Sequence, residues 1–501
     1  MEMNDEIFLA ESPREFLKKS EITTLDINQE VKSQPKVNAK IDILKQTFFE
    51  FSQRTNVDCY SKIFDYDHFF IKLIWIIIFL ASLSFTSYLL TSNFIAYLTY
   101  GISTQIGSYY SIPADFPAVT FCDSNAFTTW EAADLISQYY HGWESYNSIL
   151  VFAYMEASNP SYGDEKRKKL GLSLDQIDKC TFNNLDCKND LHWYWSYDYG
   201  NCYQFNTGLN WTDNEIEIRQ TSVEGPIYGL QIHIFPFNNY NWYSRINDFG
   251  IVVFVHNSSL KPTSSDIVYL EPGKSSYIQV KRSYVSNFPA PYTSCNDLTT
   301  YSSPLYDFIV KSLNKTYRQR DCFDLCIQQI IISKCNCSHS GFDNPYENST
   351  SQPCLTLNEY DCYNKMISNF DPIPCESASC PLECERVEYD LYVSSLIQPT
   401  FERYWGECNP NHWIQECQKN PSISYDEYRT LYVTFNVFYS SLSYTQIDVT
   451  PAMTIFDLLA NIGGSMSLII SVSFFTIFEI AELVFLMVHA LFLKKTNIAS
   501  L

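Results

Sequence analysis

The sequence predicts an α+β membrane protein in which two transmembrane helices flank a large, disulfide-rich extracellular domain. Three observations lead to this fold class. Apolar stretches lie near both ends of the chain, 16 of its 17 cysteines lie between them, and strand-like runs there are followed by a helical, cysteine-dense segment. The net charge of -22 speaks against a nucleic-acid partner, which requires a basic surface.

The first apolar stretch begins a run without charged side chains that extends from Leu73 to Ala114. Its part from 73 to 90 is long enough to span a bilayer as a helix. The second uncharged stretch runs from Leu458 to Phe478, and apolar character resumes after Glu479 and Glu482. We therefore expect two spans, and we divide the chain into a cytoplasmic N-terminal region (1–70), a first span (71–93), an ectodomain (94–454), a second span (455–490) and a short cytoplasmic tail (491–501).

Charges, glycosylation signals and cysteines place the long middle segment outside the cell. Lys72 abuts the first span and Lys494 and Lys495 close the second, so the positive-inside rule puts both termini in the cytoplasm. All five N-x-S/T sequons lie between the spans: Asn210, Asn257, Asn314, Asn336 and Asn348. Only Cys59 lies on the cytoplasmic side, which leaves an even number of cysteines in the oxidising compartment.

The alternative use of the cysteines is metal binding. The segment "CNCSH" (335–339) offers two thiols and a histidine, which are zinc ligands. No second pair stands at finger-like spacing, however, and the sequon at Asn336 indicates exposure to the secretory lumen. Disulfides are therefore expected, with no metal and no cofactor.

The pattern between the spans changes from strands to helices. The runs "GLQIHIFPF" (229–237), "GIVVFVHN" (250–257) and "SSYIQVKRSYV" (275–285) are β-branched and aromatic. Residues 301–335 have helical spacing, with Cys322 and Cys326 on one face. Common enzyme motifs such as G-x-S-x-G, H-E-x-x-H and phosphate-binding loops are missing, so no catalytic residue is assigned.

The second span contains polar and small residues that lipid does not favour. Gly463, Ser467 and Ser471 form one stripe of small residues, which is also typical of close helix packing. A second stripe follows steps of three and four down another face: Asp457, Asn461, Gly464, Leu468 and Ser471. Carboxylates at Glu479 and Glu482 should face water or a partner.

Five stretches together resemble one family. They are "FPAVTFCDSNAF" (116–127), "YGNCYQFNTG" (199–208), "FPAPYTSC" (288–295), "CFDLC…CNC" (322–337) and "ANIGGSMSLIISVSFFTIFEIAELVF" (460–485). In this order and between two spans, they resemble the degenerin, epithelial sodium channel and acid-sensing ion channel superfamily, from about Phe51 to Leu483. The resemblance implies a plasma-membrane trimer whose subunits each contribute two transmembrane helices and an ectodomain with β-sheet palm and β-ball and helical finger and thumb.

The family's cysteine spacing implies a set of disulfide pairs that sequence alone does not select. The implied pairs are Cys122–Cys202, Cys180–Cys187, Cys295–Cys384, Cys322–Cys380, Cys326–Cys375, Cys335–Cys362 and Cys337–Cys354. Cys408 and Cys417 then remain as an additional pair.

The resemblance also assigns roles in the second span. Ser471, Val472 and Ser473 match the selectivity filter, where backbone carbonyls and hydroxyls replace part of the hydration shell of the sodium ion. Asp457 and Asn461 match the outer mouth, and Glu479 matches a carboxylate below the filter. Ala460 matches a gating position and Gly464 matches a position in the amiloride-binding site. Leu468 completes the implied pore lining.

Several positions depart from the family pattern. Asp58 and Cys59 stand where members usually have a His-Gly gating element. Tyr100 matches an aromatic at the outer end of the first helix, and Tyr292 replaces its tryptophan partner. The histidine of proton-gated members is missing near Ile102. The basic run "KRKK" (166–169) is interpreted as a solvated charge run or a protease site.

These observations predict a subunit of a trimeric, sodium-permeable, amiloride-sensitive cation channel that an extracellular stimulus gates. Its partners would be related subunits, in a homo- or heterotrimer, and the lipid bilayer. A non-conducting or modulatory subunit or a receptor ectodomain of the same architecture is the alternative, although the polar stripe would then have no use. An ATP-gated trimeric channel is a further alternative, against which the acidic ectodomain and "FPAVTFC" speak.

Overall fold

The computed structural model describes most of the chain. The described residues are 36–55, 57–66, 68–139, 146–235, 237, 249–258, 260–262, 267–297, 302–313, 315–345, 352–371, 375, 380–408, 417 and 422–496. They divide into two units. One is formed by Met1–Ile95 and Phe456–Leu501, and the other by Ala96–Ile455.

The helices of the described residues occur near both ends and in clusters between strands. In chain order they are α1 (Lys36–Arg54), α2 (Asp58–Asp65), α3 (Phe69–Leu98), α4 (Trp130–Ser137), α5 (Tyr146–Ser158), α6 (Asp164–Arg167), α7 (Pro304–Asp307), α8 (Gln319–Cys335), α9 (Leu357–Ser368), α10 (Phe401–Glu407), α11 (Tyr425–Thr430), α12 (Ile455–Ile470) and α13 (Phe474–Thr496).

The strands of the described residues all lie in the unit formed by Ala96–Ile455. They are β1 (Ile102–Tyr110), β2 (Ala114–Asp115), β3 (Ala118–Asp123), β4 (Ile177–Phe182), β5 (Leu185–Asp186), β6 (Leu191–Ser196), β7 (Gly200–Phe205), β8 (Gln220–Thr221), β9 (Leu230–Ile234), β10 (Ile251–His256), β11 (Ile267–Leu270), β12 (Lys274–Ser286), β13 (Cys295–Asn296), β14 (Leu382–Glu383), β15 (Glu385–Ile397) and β16 (Val433–Pro451). The three predicted strand runs are confirmed as β9, β10 and β12.

Two sheets form the centre of this unit. The larger has the order β15-β12-β16-β9-β4-β5, with β1 also paired to β16, and the smaller has the order β11-β10-β3-β7-β6. Alternate residues point to opposite faces of a strand, and apolar side chains of both sheets meet in one buried cluster that includes Phe121, Val253, Ile232 and Phe435. Burial of this cluster is the main stabilisation of the sheet pair.

The helical segment after the sheets is stapled by disulfides. The run 301–335 is not one helix, because α7 continues into a π-helical turn (Phe308–Ser312) and α8 starts only at Gln319. The described residues contain eight disulfides, which are the seven pairs that the resemblance implies and the additional pair Cys408–Cys417. Four of them join α8 and the residues just after it to α9 and flanking segments. Cross-links of this kind typically contribute 2–4 kcal/mol each, so this region should be rigid.

A buried arginine lies within the larger sheet, where β12 changes register against β16 between Val280 and Arg282. Only 5% of Arg282 is exposed. Its guanidinium lies over the rings of Tyr284, Tyr439 and Tyr444, at 5.3, 5.5 and 5.3 Å from their centroids. The cation is thus stabilised by the negative faces of three aromatic rings.

The unit formed by the chain ends contains the apolar helices. Within the described residues, only α3 is by itself long and apolar enough to cross a bilayer. Its 30 residues correspond to about 45 Å of helix. Ile455–Ile470 and Phe475–Val488 meet the same criterion when they are taken together as one bent pair.

Candidate ion-conducting site

The second apolar segment is broken at the residues matched to the filter. α12 ends at Ile470 and α13 begins at Phe474, and the helices on either side of the break differ in direction by 72°. Ser471, Val472 and Ser473 lie between them outside any helix. Ser471 has a φ of 55°, which is the left-handed conformation that commonly ends a helix.

Local hydrogen bonds account for the break. The amide of Ser471 donates to the carbonyl of Ser467 at 3.2 Å, and that of Val472 donates to Met466 at 3.3 Å. The next helix then starts with a cap, because the amide of Ser473 donates to the hydroxyl of Thr476 at 3.1 Å. The last carbonyls of a helix have no partner within it, so this arrangement concentrates backbone oxygens and serine hydroxyls at the break.

The polar stripe that precedes the break along the chain is largely exposed among the described residues. Asp457, Asn461, Gly464 and Leu468 are exposed, whereas Ser471 is partly buried. A Cβ placed on Gly464 would meet no atom within 4 Å. Polar groups such as Asp457 and Asn461 are costly against lipid, so this face is suited to water or to another subunit. Ala460, the residue matched to the gate, is also exposed.

The stripe of small residues that begins at Gly463 is also largely exposed among the described residues. Gly463 and Ser467 are exposed, and a Cβ on Gly463 would meet no atom within 4 Å. Leu458 and Ile470 are instead the buried residues of α12, at 4% and 8% exposure. The helix therefore packs on its own chain through large apolar side chains.

Beyond the break along the chain, Glu479 forms a hydrogen bond with the N-terminal segment. The hydroxyl of Thr55, which follows α1, donates to the carboxylate of Glu479 at 3.1 Å. Thr55 is 7% exposed and its neighbour Ser52 is fully buried, with the Ser52 hydroxyl 3.1 Å from that of Tyr60 in α2. Sequence reasoning missed Thr55, because nothing local relates it to a residue 424 positions later. Glu482, by contrast, is exposed.

The two residues that replace His-Gly are the first two of α2. The side chains of Asp58 and Cys59 lie outside the described part of the structure. The remainder of α2 packs through aromatic rings, with Tyr60 at 5.2 Å from Phe64 and 5.8 Å from Phe79 of α3. The segment matched to the gating element is thus held against the first apolar helix.

The aromatic pair inferred from the resemblance is in contact. The rings of Tyr100 and Tyr292 lie 5.4 Å apart, edge to face, and Phe288 contacts Tyr292 at 5.2 Å. Tyr100 has a φ of 50° just after α3. A tyrosine at 292 therefore retains an aromatic contact where the family has tryptophan.

Two carboxyl groups of the unit formed by Ala96–Ile455 have raised pKa values. Burial raises the pKa of Asp123 to about 8, although its Oδ1 accepts a hydrogen bond from the amide of Asn125. Burial also raises the pKa of Asp324 to about 6, against the effect of Arg320. Asp324 lines a cavity of about 400 Å³ that also contains the ion pair of Lys261 with Asp343. This cavity therefore contains a carboxyl group that titrates near neutral pH.

The sequons differ in accessibility. Asn336 is exposed in a left-handed conformation at the end of α8, whereas Asn210 and Asn257 are partly buried. Asn314 and Asn348 lie outside the described residues. Asn336 is thus the most accessible acceptor among the described sequons.

The basic run 166–169 is solvated only in part, because Lys166 and Lys169 are exposed whereas Arg167 and Lys168 are partly buried. Arg167 ends the short helix α6, and only 12% of its side chain is exposed. It donates to the carbonyls of Ala157 and Asn159 at 2.8 and 2.7 Å. Lys168 lies over the ring of Trp193 at 5.2 Å. Arg167 and Lys168 are thus part of the packed structure, because their long side chains cover the rings of Trp195 and Trp193.

Comparison with known proteins identifies the family. The family described as "Amiloride-sensitive sodium channel" matches residues 51–483. The chain belongs to this family. It is 24% identical over 437 residues to the bile acid-sensitive ion channel of Mus musculus, covering 83% of this chain and 82% of that protein.

Two further relatives are matched over shorter lengths. Degenerin mec-10 of Caenorhabditis elegans is 26% identical over 320 residues, which is 62% of this chain and 41% of that protein. The epithelial sodium channel subunit gamma-2 of Xenopus laevis is 26% identical over 389 residues, which is 73% of this chain and 53% of that protein.

Membership of the amiloride-sensitive sodium channel family fixes the general function. Its members are plasma-membrane ion channels with a mixed α/β fold and many disulfides, and they are not enzymes. The chain is accordingly an ion-channel protein of the sodium-transport class, and members of its family are multi-subunit channels with related subunits.

Proposed function

We propose that the chain is a pore-forming subunit of a trimeric, sodium-permeable and amiloride-sensitive channel, gated by an extracellular stimulus. The observation that carries the proposal is the break at Ser471–Ser473 in an otherwise apolar segment. Irregular backbone at membrane depth is tolerated only where it is buried in protein or lines a wet cavity. Three copies of this break around one axis would supply a ring of carbonyl and hydroxyl oxygens to a dehydrated cation.

The proposed pathway follows one face of α12 and then the start of α13. Asp457 and Asn461 form its outer mouth, and Gly464 and Leu468 continue the lining, with Gly464 in the amiloride-binding site. Glu479 lies one to two turns beyond the break in α13 and attracts cations electrostatically. Ala460 is the gate, because a larger side chain there would crowd the closed pore. Sodium is the permeant ion, and no cofactor takes part.

The proposed topology has two spans, α3 and the bent pair α12–α13, with both termini in the cytoplasm. Lys72, Lys494 and Lys495 support this orientation through the positive-inside rule. The eight disulfides support it as well, because they form in oxidising compartments. The unit formed by Ala96–Ile455 would then face the extracellular space, with the stimulus acting on it.

Expression in oocytes tests the proposal. The chain is expressed alone, and current is recorded while sodium is replaced by potassium or by a large organic cation, with and without amiloride. We expect Ala460→Val to produce a standing inward sodium current that amiloride blocks. Leu459→Val is the matched control, since Leu459 is exposed on α12 but lies outside the stripe.

The surface amount of each variant is measured by biotinylation. If Ala460→Val reaches the surface and carries no current, alone or with a related subunit, the pore-forming role is excluded. Current that appears only with a related subunit would indicate a heterotrimer. If co-expression only changes the partner's current and no pore variant affects selectivity, a modulatory subunit is indicated.

A further inference from the structure

A grid of polar side chains lies on the larger sheet, on the face opposite the core. Three neighbouring strands contribute two residues each, and the pairs are in register. One row is His233, Thr434 and Ser275, and the other is Gln231, Asn436 and Tyr277. The alternate residues of β16, among them Val433 and Phe435, point into the core.

The grid lines a cavity of about 460 Å³. Pro226, Ile227, Leu396 and Ile397 line it as well and provide an apolar flank. The volume falls within the range of about 300–1,000 Å³ that is typical of small-molecule sites. An apolar flank beside a few convergent polar groups is also typical of such sites.

Thr434 is the observation that indicates a ligand. Only 4% of this residue is exposed, and its Oγ1 has no hydrogen-bond partner among the described residues. Asn436 next to it is 6% exposed. A buried hydroxyl without a partner is unfavourable, so a site that retains one is suited to a ligand that supplies the missing hydrogen bond.

The cavity is electrically neutral. None of the described residues that line it is Asp, Glu, Lys or Arg. Burial lowers the pKa of His233, and Lys179 lowers it further, against Asp178, so the imidazole is uncharged at neutral pH. A charged ligand would lose its hydration without gaining a countercharge, and this cost excludes ions.

We propose that this cavity is a binding site for an uncharged small molecule that carries hydroxyl or amide groups on one side and an apolar surface on the other. Its polar groups would bond Thr434 and Asn436, and its apolar surface would lie against Ile227 and Leu396. The site shares no residue with the proposed conducting pathway, and the proposal does not depend on the assignment of the pore.

A cysteine at position 434 tests the site with the full chain in lipid nanodiscs. Thr434→Cys is treated with benzyl methanethiosulfonate as the neutral probe, and with its trimethylammonium-ethyl and sulfonato-ethyl counterparts as cationic and anionic probes. Mass spectrometry gives the rate at residue 434, normalised to the rate of each reagent with a simple thiol. Ser395→Cys is the control, because Ser395 is exposed on the neighbouring strand β15. The wild type gives the background from Cys59.

We expect the neutral probe to modify residue 434 at least about tenfold faster than either charged probe. Its rate should saturate with concentration, because reversible binding precedes the reaction. In the same background, Asn436→Ala should raise the half-saturating concentration several-fold without changing the limiting rate. Ser395→Cys should react with all three probes at similar normalised rates that rise linearly.

Three results would overturn the proposal. Equal rates for charged and neutral probes would show that the cavity does not select against charge. A linear rate for the neutral probe would show access without binding. The third result is that no probe reacts at residue 434, although Ser395→Cys reacts and Thr434→Cys keeps the wild-type elution volume and Tm. It would show that another part of the assembly covers this face of the sheet.

Discussion

Replacing Asp123 with asparagine should stabilise the folded protein at pH 8 and leave its stability almost unchanged at pH 4. Asp123 is 2% exposed in β3, and its Oδ1 accepts the amide of Asn125 at 2.9 Å. Burial raises the pKa of this carboxyl from 3.8 to about 8. At neutral pH the folded state therefore holds a protonated carboxyl, which resembles an amide in having one accepting oxygen and one donating group.

The size of the effect follows from the pKa difference of Asp123 between the two states. The folded state keeps the proton up to about pH 8, whereas the unfolded chain releases it near pH 3.8. Between these values the folded state binds more protons, so the free energy of unfolding falls as the pH rises. At about 1.4 kcal/mol per pH unit, the loss at pH 8 reaches about 5–6 kcal/mol. Asparagine at 123 removes this loss.

Thermal unfolding of the purified chain between pH 4 and pH 8 measures this effect. We expect the Tm of Asp123→Asn to exceed that of the wild type by several degrees at pH 8, with the difference disappearing towards pH 4. Asp361→Asn, at an exposed position of α9, is the control and should follow the wild type. A difference that stays constant with pH, or an Asp123→Asn variant that is less stable at pH 8, would refute the reasoning.

Three other predictions follow from individual contacts. Arg282→Ala should lower the free energy of unfolding by about 2–4 kcal/mol, because it removes the guanidinium that lies over three tyrosine rings. A decrease below about 1 kcal/mol in thermal unfolding would contradict this. Thr55→Val removes the hydroxyl that donates to Glu479, so block of the current by divalent cations should become several-fold tighter, whereas Thr91→Val should have no effect. Brief trypsin treatment should not cleave after Arg167, since its side chain is held by two carbonyls; rapid cleavage there would restore the interpretation as a protease site.

Local pattern was sufficient for features that depend on nearby residues. The β-branched and aromatic composition of three runs bounded by Pro, Gly and Asn predicted β9, β10 and β12. Apolar length predicted α3. Helical spacing in 301–335 did not reveal where the helix is interrupted, because the same periodicity is compatible with α7, a π-helical turn and α8.

The local sequence pattern could not predict contacts between residues that are distant in the sequence. The contact of Thr55 with Glu479 joins residues 424 positions apart. The tyrosines around Arg282 come from β12 and β16, which are far apart in sequence. Composition alone predicted that the basic run 166–169 is solvated. It does not show that a carbonyl accepts a hydrogen bond from Arg167 or that Lys168 lies over an aromatic ring. The roles of Ser471–Ser473 rest on the resemblance, whereas their local conformation became evident only from the structure.

The two adjacent glycines of α12 offer the most direct test of the proposed pore. Gly464 lies on the stripe with Asp457 and Asn461, whereas Gly463 does not, and a Cβ at either glycine would meet no atom within 4 Å. Each is replaced by cysteine in a conducting Ala460→Val background, and an external cationic methanethiosulfonate is applied. We expect rapid loss of sodium current for Gly464→Cys and little change for Gly463→Cys. Loss of current for Gly463→Cys alone, or for neither variant although both conduct, would contradict it.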